Sequence, residues 1–253
     1  MSDVRCTVEG HVGVAEICRG PDNYFDKTLI GALAAAFEGF DADPAVRCIV
    51  LCSEGRNFCA GADFVAGDRD RVIGSQQGGH LYQQAVRLFR CATPVVAAVQ
   101  GAAIGGGLGL SLVGDFRVAS AGSRFAANFS RLGFHAGFGL SVTLPRVVGA
   151  QKAALLFYTG RRIGGEEAHS IGLVDVLVED VRAGALGLAA EIAGSSPIAV
   201  VSMRATLRAG LADAVAAVTD HELAEQMVHF ETEDFGEGVR AMSERRAPVF
   251  RGR

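Results

Sequence analysis

Residues 100–115 read QGAAIGGGLGLSLVGD, with three consecutive glycines (Gly105, Gly106 and Gly107) between two apolar runs. Glycine loses more conformational entropy on folding than any other residue, so three in a row at the head of a helix must be offset by something. Two phosphate-binding loops put glycines here, and neither fits. A P-loop requires GxxxxGK[ST], but Gly106 is followed by Gly107 and Leu108, with no lysine. A GxGxxG fingerprint begun at Gly105 and Gly107 needs glycine where Leu110 stands, and no acidic residue ending a second strand supports it. What remains is a backbone N–H presented at a helix N-terminus, where unpaired amides and the positive end of the dipole stabilise an oxyanion.

A second donor is expected from another turn after a strand. CAGAD at 59–63 follows the strand-like RCIVLC at 47–52, with Asp63 read as a helix start. Two such amides facing one point form an oxyanion hole for a polarised carbonyl. The structural alternative is that both turns only permit tight strand-to-helix packing, and spacing alone does not separate the two.

Outward from these turns the pattern alternates. Val4–Glu9 and Val12–Cys18 read as strands joined at Gly10–His11, and Asp26–Phe40 has apolar residues at helical spacing until Asp43-Pro44 breaks it. Residues 66–79, rich in glycine, glutamine and charge, have no clear period and read as a mobile loop. A helix then places Leu81, Ala85, Leu88 and Phe89 on one face and stops at Thr93-Pro94, before a short buried strand Val95–Val99. Another strand is expected over Asp115–Ser120, with helices dominating from about Leu140. From Ala183 onward nearly everything reads as helix, and SSP at 195–197 is a cap followed by proline in the first turn. Strands alternating with helices over the first two thirds define an α/β core.

Composition narrows the function. With 49% hydrophobic and 21% charged residues in 253, the chain can bury a sizeable core, and its formal net charge of -4 gives no electrostatic case for nucleic acid or an anionic membrane. No apolar run is long enough to span a bilayer and residues 1–10 lack a signal peptide's regions, so a cytoplasmic location is expected. The six cysteines form no CxxC pair and have no histidine at ligand spacing, so no metal is expected and they read as small core residues of a reducing compartment. Cys59, beside a glycine turn, is the one that invites scrutiny.

DPAVRCIVLCSEGRNFCAGADF followed by TPVVAAVQGAAIGGGLGLSLVGDFRVA closely resembles the crotonase superfamily, the enoyl-CoA hydratase/isomerase family. The similarity continues through RFAANFSRLGFHAGFGLSVTLPRVVG, YTGRRIGGEEAHSIGLVDVLV and EGVRAMSERRAPVFRG, and covers essentially the whole chain. It implies an α/β spiral of ββα units over residues 1–194. It also implies a helical segment over 195–253 that builds homotrimers, often paired into hexamers. The substrate implied is an acyl-CoA thioester, with coenzyme A entering as part of the substrate and no separate cofactor.

On this resemblance the amides of Ala62 and Gly106 bind the thioester oxygen and stabilise the charge of an enolate, while Gly105 and Gly107 let substrate approach the backbone. The implied substrate contacts are Tyr24, Ala60, Asp63 and Phe64 for adenine and pantetheine, with Ile104, Gly105, Gly109, Phe129 and Leu132 completing the set. Phe230 and Arg245 match positions that contribute to a neighbouring subunit's CoA site; Arg245 in SERR reads equally as a solvated charge.

The sequence departs from the pattern where acid–base chemistry belongs. The hydratases' two glutamates correspond here to Gly109 and Phe129, and the aspartate of the dienoyl-CoA isomerases and 4-chlorobenzoyl-CoA dehalogenases corresponds to Gly137. Hydration needs one group to activate water and another to protonate the α-carbon, and neither replaced glutamate position supplies one. His135, in GFHAGFG, and His80 are the candidate acid–base residues that remain, with Asp68 and Asp70 in the loop between the motifs. A lone histidine on a glycine-rich loop reads equally as a hydrogen-bonded structural residue. Phe129, Phe134 and Phe138 suggest an apolar, aromatic-lined pocket, and equally a core. Two readings compete: an enzyme of this family with a non-standard acid or base, and a non-catalytic acyl-CoA binder or regulator on the same fold. A serine hydrolase is a weak third, because GxSxG is absent.

Overall fold

The computed structural model describes residues 3–64 and 80–253, so the loop read at 66–79, with Asp68 and Asp70, lies outside the described residues. Strands β1 (Val4–Glu9) and β2 (Val12–Ile17) form the expected antiparallel hairpin. β2 then pairs in parallel with β3 (Cys48–Ser53), and β3 with β4 (Val95–Val99), every residue of the three being buried. Unbroken apolar runs of this kind suit a parallel sheet covered on both faces. With β6 (Phe116–Ala119) and β9 (Val176–Leu177) the sheet has six strands, in the order β1-β2-β3-β4-β6-β9.

A second layer runs alongside. Its three strands, β5 (Ala102–Ile104), β7 (Arg124–Ala126) and β8 (Arg162–Gly164), lie in the order β5-β7-β8, and isolated bridges Cys59–Ala103 and Phe25–Ala62 extend it. Each turn of the spiral therefore contributes one long strand and then one short extended stretch: β3 and Cys59–Ala62, β4 and β5, β6 and β7. This is the expected ββα repeat. The short strands β5, β7, β8 and β9 are absent from the sequence reading because two or three residues carry no alternation to detect.

Helices cover both faces. Helix α1 (Lys27–Ala42) is started by the Asp26 carboxylate, which accepts from the Leu29 N–H at 2.9 Å, and it buries Leu29, Ile30, Leu33, Ala34, Phe37 and Phe40 against α2 (Leu81–Phe89) and the sheet. α3 (Gly106–Ser111), α4 (Leu140–Val148), α5 (Ala150–Thr159) and α6 (Gly165–Ser170) follow. On the opposite face α7 (Val181–Ala193) sets Val181, Ala185, Ala189 and Ala193 at four-residue spacing against Val14, Val50 and Val96. Small residues on that stripe let the helix lie close to the sheet.

The chain ends in α8 (Pro197–Leu207), with Pro197 in its first turn as the sequence suggested, then α9 (Leu211–His229) and α10 (Glu233–Ser243). α9 packs on α2 and α4, and α10 packs on a 3₁₀ turn at Asn128–Leu132. That last contact is backbone to backbone: a Cβ on Gly238 would lie 2.5 Å from the Leu132 carbonyl. Among the described residues no single helix is long and apolar enough to cross a membrane. All six cysteines are free, and burial pushes the thiols of Cys48, Cys52 and Cys59 up to about 12. Cys59 is thus an inert core thiol rather than a nucleophile.

Candidate active site

The two glycine turns are drawn together by the second layer. The Cys59 N–H donates to the Ala102 carbonyl at 2.9 Å, and the Ile104 N–H donates back to Cys59 at 3.1 Å. The Gly105 N–H is held by the Ala126 carbonyl at 2.8 Å. The chain turns on both sides of this ladder, and a Cβ on Gly61 would lie 3.8 Å from the Gly106 nitrogen. Among the described residues, neither the Ala62 nor the Gly106 amide donates to a protein acceptor. Both residues line one cavity. α3 has only six residues, so local amide geometry rather than a long helix dipole sets the field here.

Each of the three glycines has its own cause. Gly105 has φ +55° and ψ −122°, which side-chain-bearing residues avoid. A Cβ on Gly106 would sit 2.3 Å from the Phe25 ring, and one on Gly107 would sit 2.1 Å from the Cys59 carbonyl. The expected role of Gly107, giving substrate access to backbone, is therefore replaced by strand-to-helix packing. The packing reading of the glycine run thus holds at Gly106 and Gly107, where a side chain would clash.

The cavity has a volume of about 110 Å³. Tyr24, Ala60, Ala62, Asp63, Phe64, Ile104, Gly105, Gly106, Phe129 and Leu132, all singled out in the sequence, line it together. The Ala60 N–H is engaged by the Asp22 carbonyl at 2.9 Å, so only its carbonyl can face a ligand. Phe134 and Phe138 line it too, and all three suspected phenylalanines are both wall and buried core.

Gly109 and Gly137 stand where neighbours leave no room for a side chain. A Cβ on Gly109 would lie 2.8 Å from the Phe138 Cβ, and one on Gly137 would lie 1.8 Å from the Tyr82 hydroxyl oxygen. Phe138 itself has φ +65°, an unfavourable conformation for a bulky residue, costing about 1–3 kcal/mol. The Glu222 carboxylate holds that turn, accepting from the Gly139 N–H at 2.8 Å and the Ser141 N–H at 2.9 Å. Burial raises the Glu222 carboxyl's affinity for protons, and those two amides partly offset it.

The two candidate histidines are not on this wall. His135 lies behind the ring partition of Phe129 and Phe134, in a separate depression with His229 and Tyr158, and its Nδ1 meets the Ala136 carbonyl at 2.8 Å. His80 caps α2, its Nδ1 accepting from the Tyr82 N–H at 3.1 Å, and burial with the charge of Lys27 lowers its pKa to about 4. Phe230 is only 5% exposed and stacks within its own chain on Phe64, Phe134 and Phe235 at centroid distances of 4.8–6.1 Å. Arg245, just past α10, is exposed.

Sequence reasoning missed Tyr82, Asn128, Gln226 and Met242, which also line the cavity. Tyr82 follows directly on the apolar face of α2, and Gln226 sits in LAEQMVHF, where a polar residue reads as solvated. Both are buried, Gln226 to 2% exposure. Among the described residues no group of three or more His, Cys, Asp or Glu side chains is placed to hold a metal ion.

Comparison with known proteins identifies the class to which this spiral of ββα turns belongs. Residues 9–253 match the family model for enoyl-CoA hydratase/isomerase. A probable enoyl-CoA hydratase of Bacillus subtilis is 32% identical over 260 residues, covering 100% of both chains. The mevalonyl-coenzyme A hydratase SIDH of Beauveria bassiana is 34% identical over 90% of this chain and 87% of its own. The crystal structure of an enoyl-CoA hydratase/isomerase from Pseudoalteromonas atlantica T6c superimposes with a TM-score of 0.88 at 30% identity, covering 99% of this chain and 100% of that one. The chain belongs to the enoyl-CoA hydratase/isomerase family and has the crotonase fold.

Proposed function

We propose that the protein is an enzyme of this family that binds an acyl-CoA thioester and polarises its carbonyl between the amides of Ala62 and Gly106, stabilising an enolate. One observation carries the reading: two neighbouring residues whose backbone donors have no protein acceptor among the described residues line one small cavity. Fixed donors of this kind strengthen their bond as negative charge develops on the oxygen, and each accounts for about 2.7–4 kcal/mol of barrier lowering in known cases. Coenzyme A enters as part of the substrate, with Tyr24, the Ala60 carbonyl, Asp63 and Phe64 at the cavity mouth. The acid or base is non-standard, because Gly109, Phe129 and Gly137 supply no proton-transferring side chain. His135 and His80 reach the reacting atoms only if the wall rearranges on binding.

The alternative, an acyl-CoA binder without turnover, has one observation in its favour. Among the described residues lining the cavity, Asp63 is the only carboxylate and there is no imidazole. The two readings predict the same binding and different rates. A positioned acid or base typically contributes 10²–10⁴-fold, so hydration of crotonyl-CoA is expected to be very slow while butyryl-CoA still binds. The measurement follows the loss of conjugated enoyl-thioester absorbance, alongside calorimetric titration of butyryl-CoA. Hydration at rates ordinary for the family would reassign the chemistry to another residue, and alanine at His135 and at His80 would identify which. Absence of both binding and turnover would remove the acyl-CoA reading.

The exposed apolar side chains of the 195–253 segment support the trimer or hexamer: Ile198 is 84%, Leu207 74% and Met203 57% exposed. Apolar side chains at this level of exposure suit a surface that another subunit covers.

A further inference from the structure

Resting on the acyl-CoA reading, we infer that Gln226, oriented by Tyr82, is a specificity-determining residue that recognises an uncharged oxygen substituent, a hydroxyl or a ketone, on the acyl group. The Tyr82 hydroxyl donates to Gln226 Oε1 at 2.8 Å, and Gln226 Nε2 donates to the His135 carbonyl at 2.9 Å. That carbonyl can only accept, which fixes the amide's orientation. Both side chains are at least nine-tenths buried and both line the cavity.

An inventory of donors and acceptors shows what this pair still offers. The amide nitrogen of Gln226 has two hydrogens and one is used; its oxygen has a second lone pair. The Tyr82 phenol spends its hydrogen on the Gln226 oxygen and holds the amide in place. One N–H and one oxygen lone pair of Gln226 are therefore left over in a cavity whose lining includes the apolar Phe129, Phe134, Phe138 and Leu132. A bare alkyl group would leave that capacity unmet away from water, whereas a ketone takes the N–H and a hydroxyl uses both.

The same wall discriminates against a charged acyl group. Among the described residues that line the cavity there is no lysine, arginine or histidine. The Glu222 carboxyl lies close enough behind Tyr82 to act on it electrostatically. A carboxylate on the acyl group would be desolvated without a counter-charge.

The test is calorimetric affinity for a set of thioesters that differ by one group: butyryl-CoA, 3-hydroxybutyryl-CoA, 4-hydroxybutyryl-CoA, acetoacetyl-CoA and succinyl-CoA. The wild-type protein should bind at least one of the three neutral oxygenated thioesters about tenfold more tightly than butyryl-CoA, with succinyl-CoA the weakest. Gln226→Met, similar in size, should bring that ratio close to one. Tyr82→Phe should reduce the ratio by freeing the amide to rotate. Equal wild-type affinities overturn the inference even if neither variant folds, and so does a preference that survives in a folded Gln226→Met protein. Failure of the wild type to bind any of the five overturns the acyl-CoA reading as well, which separates the two claims.

Discussion

Gly106 is the residue on which the oxyanion proposal turns, and its surroundings decide how it can be tested. Any side chain there meets the Phe25 ring, so Gly106→Pro would disturb packing as well as remove the donor. Replacing the Gly105–Gly106 amide by an ester removes the N–H without adding a side chain, while weakening the Gly105 carbonyl that accepts from Leu108 and Gly109, and turnover should then fall by about 10²–10³-fold with butyryl-CoA affinity nearly kept. Gly109 makes a complementary prediction. Gly109→Glu restores the type of residue the hydratases carry but forces Phe138 aside, so it should cost about 1–3 kcal/mol in urea denaturation and leave crotonyl-CoA hydration slow. Unchanged stability would show that the Phe138 turn is softer than its contacts indicate. Phe230 belongs to the same scale: Phe230→Ala should destabilise the protein by about 3–5 kcal/mol, as expected for a ring inside its own chain's aromatic cluster.

Among the elements, α2 carries a pH signature through its cap. The neutral His80 imidazole accepts the Tyr82 N–H, and burial followed by the charge of Lys27 holds its pKa down to about 4. In the unfolded chain a histidine titrates near 6.5, about the ordinary value. A depressed pKa means that the stabilisation is complete above about pH 6.5 and is lost as pH falls towards about 4. His80→Asn keeps a capping acceptor and does not titrate, so its urea midpoint should fall less than wild type's between those limits. Parallel curves would contradict the assignment. The elements also show where the sequence was readable. β2 to β4 declared themselves as apolar runs and α1 by apolar residues at helical spacing, each bounded by glycine or proline. β5 did not, because a three-residue strand is defined by its partners Cys59 and β7 rather than by its own pattern. The polar stripe Thr219, Glu222 and Gln226 on α9 looks solvated in sequence and is buried in the fold, so the Gln226 wall was invisible before the structure.

In the whole molecule, the spiral was legible through the resemblance that the ordered motifs carry, and the approach of the two glycine turns through their place after buried strands. The wall opposite those amides was not legible, because it is assembled from α2, α9 and α10, far apart in the chain. The assembly is expected to be a trimer or hexamer in sedimentation, and Ile198→Glu with Leu207→Glu should shift it to monomer without changing the circular dichroism spectrum. A wild-type monomer at micromolar concentration would contradict this, and the highly exposed apolar side chains of α8 would need another partner. The central claim, polarisation of a thioester carbonyl by two backbone amides, is independent of turnover and can be read in a spectrum. Difference infrared spectroscopy of butyryl-CoA labelled with ¹³C at the thioester carbonyl should show that band at lower frequency in the complex than in water, and less so in the Gly105–Gly106 ester variant. A carbonyl band at the same frequency bound and free would contradict the account.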